Sequence, residues 1–147
     1  MGEHAPDFDG VFALRPDLHA AYREFEGVFW TTPLFDPVIL ELCRLRCAQL
    51  LGNAAALAER TPAAVDAGLD EGLVDRLASW PTDPGFSTAQ RGCLALTEQF
   101  VLDPHGVTPE QRAAVVGEFG DAGLVALVEA LALFDGFTRF RTILGVQ

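Results

Sequence analysis

The residues able to do chemistry in this chain are few, and their types narrow the reactions open to it. There is no lysine, which excludes imine chemistry, including pyridoxal-dependent and Schiff-base aldolase reactions. The serines are Ser79 and Ser87, and neither stands in a Gly-x-Ser-x-Gly setting, so a serine-hydrolase elbow is absent. His4, His19 and His105 are scattered, which argues against a histidine-rich metal site, and no metal or cofactor is expected. What remains is carboxylates, arginines and the cysteines Cys43, Cys47 and Cys93. Cys43 and Cys47 are one helical turn apart, about 6 Å, on one face. They share an apolar stripe with Leu40, Leu50 and Leu51 and read as core, with a redox or metal role as the alternative; Cys93 reads the same way. His105 lies in a loop, either solvated or folded over a pocket as a proton shuttle. Glu98, Glu129 and Arg139 sit on largely apolar helices and need partners when packed, for which a buried Glu129–arginine pair at a subunit contact is the expected arrangement.

These groups are carried by 147 residues, half of them apolar and 21% charged, a composition suited to one globular domain. The net charge of −11 argues against nucleic acid and anionic membrane as partners. The N-terminal Met-Gly-Glu-His-Ala-Pro-Asp has no basic and no apolar segment, so no secretory signal is expected. The apolar stretch from Leu124 to Phe134 is broken by Glu129 and too short to span a bilayer. Cysteines without an export signal point to reduced thiols and a cytoplasmic protein.

The elements that must position these residues read as helices throughout. Residues 1–15 are expected to be an irregular arm laid over the body or a neighbouring subunit, and residues 16–147 a single helical domain. Pro16 opens a helix to about Phe29, and Asp36-Pro37 opens another that runs to about Arg60 with a kink or break at Gly52. Thr61-Pro62 starts a short helix ending near Gly68, and Asp70 caps one that stops before Trp80-Pro81. Ser87-x-x-Gln90 and Thr108-Pro109-x-Gln111 are capping boxes, and Asp121 caps a last helix to about Leu144. No alternating strand pattern appears, so the fold class is all-α with about seven helices. The last helix is apolar nearly all round, which calls for a central position or a covering partner chain, and a homo-oligomer is expected.

The stretch Leu45-Arg46-Cys47-Ala48-Gln49-Leu50-Leu51-Gly52-Asn53-Ala54-Ala55-Ala56-Leu57-Ala58-Glu59-Arg60-Thr61, followed by Ala67-Gly68, resembles the core motif of the alkylhydroperoxidase (AhpD-like) and carboxymuconolactone decarboxylase superfamily. Peroxidase-type members read Leu-Arg-x-Ala-Gln-x-x-Gly-Cys-x-x-Cys-x-x-x-His-Thr. The resemblance extends to Phe29-Trp30, to Arg91-x-x-Leu94-Ala95-Leu96-Thr97-Glu98, and to Phe137-Thr138-Arg139-Phe140-Arg141. It implies a helical fold assembled as a trimer or hexamer. Counting along the motif, its proton-relaying glutamate falls on Glu41, its cysteines on Asn53 and Ala56, and its histidine on Arg60. Peroxide reduction needs an attacking thiolate and a resolving thiol, which Asn53 and Ala56 cannot supply, so peroxidase activity is expected to be absent.

The decarboxylase branch lacks the dithiol and works by acid–base groups on a lactone acid. By that resemblance Glu41 would move a proton, Arg60 would hold an oxyanion or carboxylate, and His105 would assist, with Asn53, Trp30 and Tyr22 binding substrate. Two functions follow: a redox-inactive decarboxylase, lyase or isomerase acting on a small acidic or enolisable molecule, or a dismantled relative acting as a binding or scaffold protein. An enzyme requires Glu41 and Arg60 to converge on a pocket of a few hundred Å3; a scaffold would fill that space with side chains.

Overall fold

Proline and cap chemistry set the helix starts. The computed structural model describes residues 6–146, and among them the chain is all-α, with eight helices and no strand. These are α1 (Phe8–Phe12), α2 (Pro16–Thr31), α3 (Pro37–Leu50), α4 (Ala54–Ala58), α5 (Pro62–Asp66), α6 (Glu71–Asp75), α7 (Thr88–Leu102) and α8 (Pro109–Leu144), with short 3₁₀ turns at Leu77–Ser79 and Pro104–Gly106. Asp36 accepts from the Val38 amide, Asp70 from Gly72, and Ser87 and Thr108 each form a reciprocal capping box with a glutamine three residues on. Gly52, at φ +68°, ends α3 in the left-handed region, and Asn53 restarts the chain as the cap of α4.

One expectation is corrected and one is met. The arm is not irregular throughout: Asp7 caps α1, and Phe8 and Phe12 of that helix pack on Tyr22, Phe137 and Phe140 of the body. The helix start expected at Asp121 is met: α8 is two helices that join at Gly120, where φ +73° and ψ 178° leave helical space, and the second begins at Asp121. The break folds Phe119 back onto Gly123, where a Cβ would lie 2.3 Å from that of Phe119, and stacks the Phe119 ring on Phe35 at 4.4 Å.

Of the two placements expected for the last helix, the central one is taken instead by α3, buried from Ile39 to Cys43 and again at Leu45, Cys47 and Ala48, and packed against both α7 and α8. Its apolar residues join Leu94 and Leu96 of α7 with Leu127, Leu131 and Phe134 of α8 in one core. The apolar run of α8 buries Leu127 and Leu131 but leaves Val125 63% exposed. Among the described residues, no helix is long and apolar enough to cross a membrane.

Candidate functional site

Helix α3 carries Glu41 into the interior, where its side chain has no solvent exposure. A carboxylate there is tolerable only with partners, and the helical i, i+3 spacing supplies one. Arg44 donates to Glu41 Oε1 through Nε at 3.0 Å and also through Nη2, and the Thr61 amide donates to the same oxygen at 3.3 Å. Arg44 further donates to the carbonyls of Ala56 at 2.9 Å and Glu59 at 2.8 Å, which ties α3 to the end of α4. The second oxygen, Glu41 Oε2, is buried without a hydrogen-bond partner among the described residues.

Arg60 follows α4. Its Nε and Nη2 donate to the two oxygens of Glu71 at 2.8 and 3.0 Å, and Nη1 donates to the carbonyls of Leu57 and Glu59. The hydrogen bond from Glu71 raises the guanidinium pKa further, and Arg60 in turn holds the Glu71 carboxyl below its usual value. Arg60 reaches the pocket wall with every side-chain nitrogen engaged, so the expected open grip on a substrate oxyanion is not what the geometry presents.

Beside this network lies a pocket of about 240 Å3. Arg44, Ala56, Arg60 and Thr61 form one wall; Tyr22 and Glu26 of α2, Leu133, Phe134, Phe137 and Arg141 of α8, and Phe8 of α1 form the other. Glu41 stands behind the first wall, in contact with Arg44 and Thr61 rather than on the surface of the pocket. Tyr22 packs against Phe137 at 4.3 Å, and burial, reinforced by Glu26, pushes its phenol up to about 12. Arg141 donates to Glu59 Oε2 at 2.8 Å and lies 4.8 Å from the centre of the Phe8 ring, a cation–π contact. Its Nη1 is buried without a partner among the described residues. A second hollow of about 380 Å3 shares Phe8, Tyr22, Glu26, Glu59 and Arg141 with the first and runs under α1 to Asp9 and Arg23.

The other expected site residues are dispersed. Asn53 is structural: Oδ1 caps α4 through the Ala56 amide at 2.9 Å, and Nδ2 donates to Thr142 at 3.1 Å. Trp30 stands behind the wall, its indole donating to Glu26 at 2.6 Å and its ring 6.0 Å from Phe134. His105 is exposed in the 3₁₀ turn after α7 and lines neither hollow. Tyr22 alone of the expected binding residues lines the pocket. Glu98 is satisfied within the chain by Arg46 and the Trp80 indole, Arg139 pairs with Asp135, and Glu129 is exposed. Residues 1–5, including His4, lie outside the described residues.

The three cysteines are buried and unpaired, and burial raises all three thiols, Cys43 to about 12. Such thiols are poor nucleophiles, in keeping with the core reading. Among the described residues no group of three His, Cys, Asp or Glu side chains could hold a metal ion. Sequence reasoning missed Phe8, Glu26, Glu59 and Arg141 as pocket residues. The available signal for Arg141 was a cation on an apolar helix, but its partner Glu59 is 82 positions away.

The helical arrangement is the AhpD-like all-α fold. A crystal structure from Agrobacterium tumefaciens, described as a protein of unknown function and a candidate antioxidant defence protein AhpD, is similar with a TM-score of 0.82 over 93% of this chain and 94% of that one. The two are 16% identical, a likeness that carries the fold and no residue's role. No family model matches the chain, and no curated protein matches it in sequence.

Proposed function

We propose that this chain is a redox-inactive, carboxymuconolactone decarboxylase-like enzyme that moves a proton on a small acidic or enolisable organic molecule. The observation that carries the reading is a pocket of about 240 Å3, open among the described residues, next to a wholly buried glutamate with one oxygen unpartnered among them. Arg44 and the Thr61 amide hold Oε1 and leave Oε2 as the proton acceptor, which a ligand meets only when the wall of Arg44 and Thr61 in front of Glu41 parts. A positioned acid–base group contributes typically 10²–10⁴-fold in rate, which is the share assigned to Glu41. A reduced, cytoplasmic setting suits the unpaired thiols. Exposed Leu18, Phe25 and Val28 on α2 and Val125 on α8 support a homo-oligomer, with a trimer or hexamer the form implied by the family resemblance.

The alternative, a binding protein with a dismantled centre, is favoured by a different observation: Arg44 and Arg60 spend their nitrogens on internal partners. Solvent deuterium exchange at the acidic C–H of candidate ketones, lactones and organic acids, followed by NMR, separates the two. The enzyme reading expects exchange that falls on the order of 10²–10⁴-fold in Glu41→Gln while the circular dichroism spectrum is kept. Saturable binding with no catalysed exchange by the parent protein would favour the binding protein instead.

A further inference from the structure

The ligand's charge can be read from how the pocket's charges are matched. Arg44 is paired with Glu41, Arg60 with Glu71 and Arg141 with Glu59, so each arginine on the wall already has its carboxylate. Among the described residues Glu26 pairs with no cation: its carboxylate accepts from the Trp30 indole and faces the same pocket. The lining and its partners therefore carry one more negative charge than positive, within a chain whose net charge is −11. An anion entering this space meets repulsion and displaces a carboxylate from an arginine if it is to be held at all.

Hydrogen-bonding capacity points the same way. Arg141 Nη1 is a buried donor without a partner among the described residues, and its side chain is only 12% exposed. Tyr22, with its phenol kept protonated, adds a second group that donates. Unmet buried donors favour an acceptor, and a carbonyl oxygen supplies one without bringing charge. The surrounding surface is aromatic, from Phe8, Phe134 and Phe137, and the pocket is smaller than the 300–1,000 Å3 usual for drug-sized ligands.

We infer that the pocket takes a small uncharged carbonyl compound, a ketone or lactone with an apolar body, whose oxygen is held by Arg141 and Tyr22, and that carboxylic acids are excluded. Phe8 covers the Arg141 guanidinium and moves aside as the ligand's oxygen reaches Nη1. The inference rests on the proposed function in placing the ligand in the same pocket, and it narrows the acidic or enolisable substrate to the neutral, enolisable kind.

The test is a calorimetric titration of the full chain with acetophenone, benzoate and ethylbenzene, which share a ring and differ in the polar group. Acetophenone should bind about tenfold or more tighter than either, the worth of a hydrogen bond to a charged donor. Arg141→Met should remove about tenfold of that preference and Tyr22→Phe a smaller part, with ethylbenzene unchanged and Arg112→Gln, remote from the pocket, like the parent. If Arg141→Met fails to fold because Glu59 is stranded, the double variant Glu59→Gln/Arg141→Met carries the same expectation. Benzoate binding as tightly as acetophenone, a preference untouched in these variants, or no saturable acetophenone binding would each overturn the inference. Binding without catalysed deuterium exchange would sink the acid–base reading and leave this one standing, so the two fail separately.

Discussion

The two walls of the pocket spend their polar groups differently. On the wall from α3 to α5, Arg44 bonds Glu41 and two carbonyls while Arg60 bonds Glu71 and two more, so the charges serve to join one segment to the next. On the wall from α1, α2 and α8, the contacts are mostly ring against ring, and a donor of Arg141 is left over. The difference teaches that position in a recognisable motif does not say which wall meets a ligand. The core-motif arginines hold the fold together here, while the spare donor lies on a helix outside the core motif and the spare acceptor, Glu41 Oε2, stands behind the wall.

The largest effect expected from breaking this contrast is on the ionic wall. Arg44→Met strands a fully buried carboxylate, and urea unfolding should show a loss of about 3–5 kcal/mol. A loss under about 1 kcal/mol would mean that Glu41 does not depend on the network described. The aromatic wall is read next, by alkali. A phenol raised from 10.0 to about 12 in the fold favours folding in full below pH 10, and this contribution is lost as the pH climbs through about 12. The loss is on the order of 2–3 kcal/mol. Tyr22 is the only tyrosine, so tyrosinate absorbance reports it without overlap, and Tyr22→Phe should remove this part of the alkaline loss and leave the part due to the three buried thiols. A native phenol titrating near 10 would contradict the burial described. The smallest stability change belongs to Glu71→Ala. Its side chain is 58% exposed, so stability should shift by less than about 1 kcal/mol. Freeing Arg60 should nonetheless move the ligand preference towards benzoate by a few-fold in the same calorimetric titration. No such movement would show that Arg60 has no say in ligand charge.

Much of the fold was legible because helix starts are local chemistry. Asp36-Pro37, Ser87 with Gln90 and Thr108 with Gln111 each satisfy amides within three residues, so a reader of the chain can find them. Helix α1 was not legible, because five residues among acids and glycine hold their shape by packing Phe8 and Phe12 on rings from α2 and α8. The candidate site divides in the same way. Glu41 could be picked out through the motif that the chain resembles, but its burial against Arg44 could not. Arg60 lines the pocket, but Glu71 reaches it from the next short helix and engages its guanidinium, a contact with no local signal in the sequence. Arg141 and Glu59 meet only after folding, so neither carries a local signal of its use.

Gly120 has a consequence for which substitutions the chain tolerates. Its φ of +73° with ψ of 178° lies where essentially only glycine is found, although a Cβ there would meet nothing within 4 Å. The obstacle to any other residue is thus the backbone alone, and no enlargement of the surroundings can relieve it. Residues 121–144, which carry Phe134, Phe137 and Arg141, take their aim from that one joint. In a library of random variants, this exposed glycine should be among the least replaceable positions in the chain, while exposed neighbours such as Gly117 change freely.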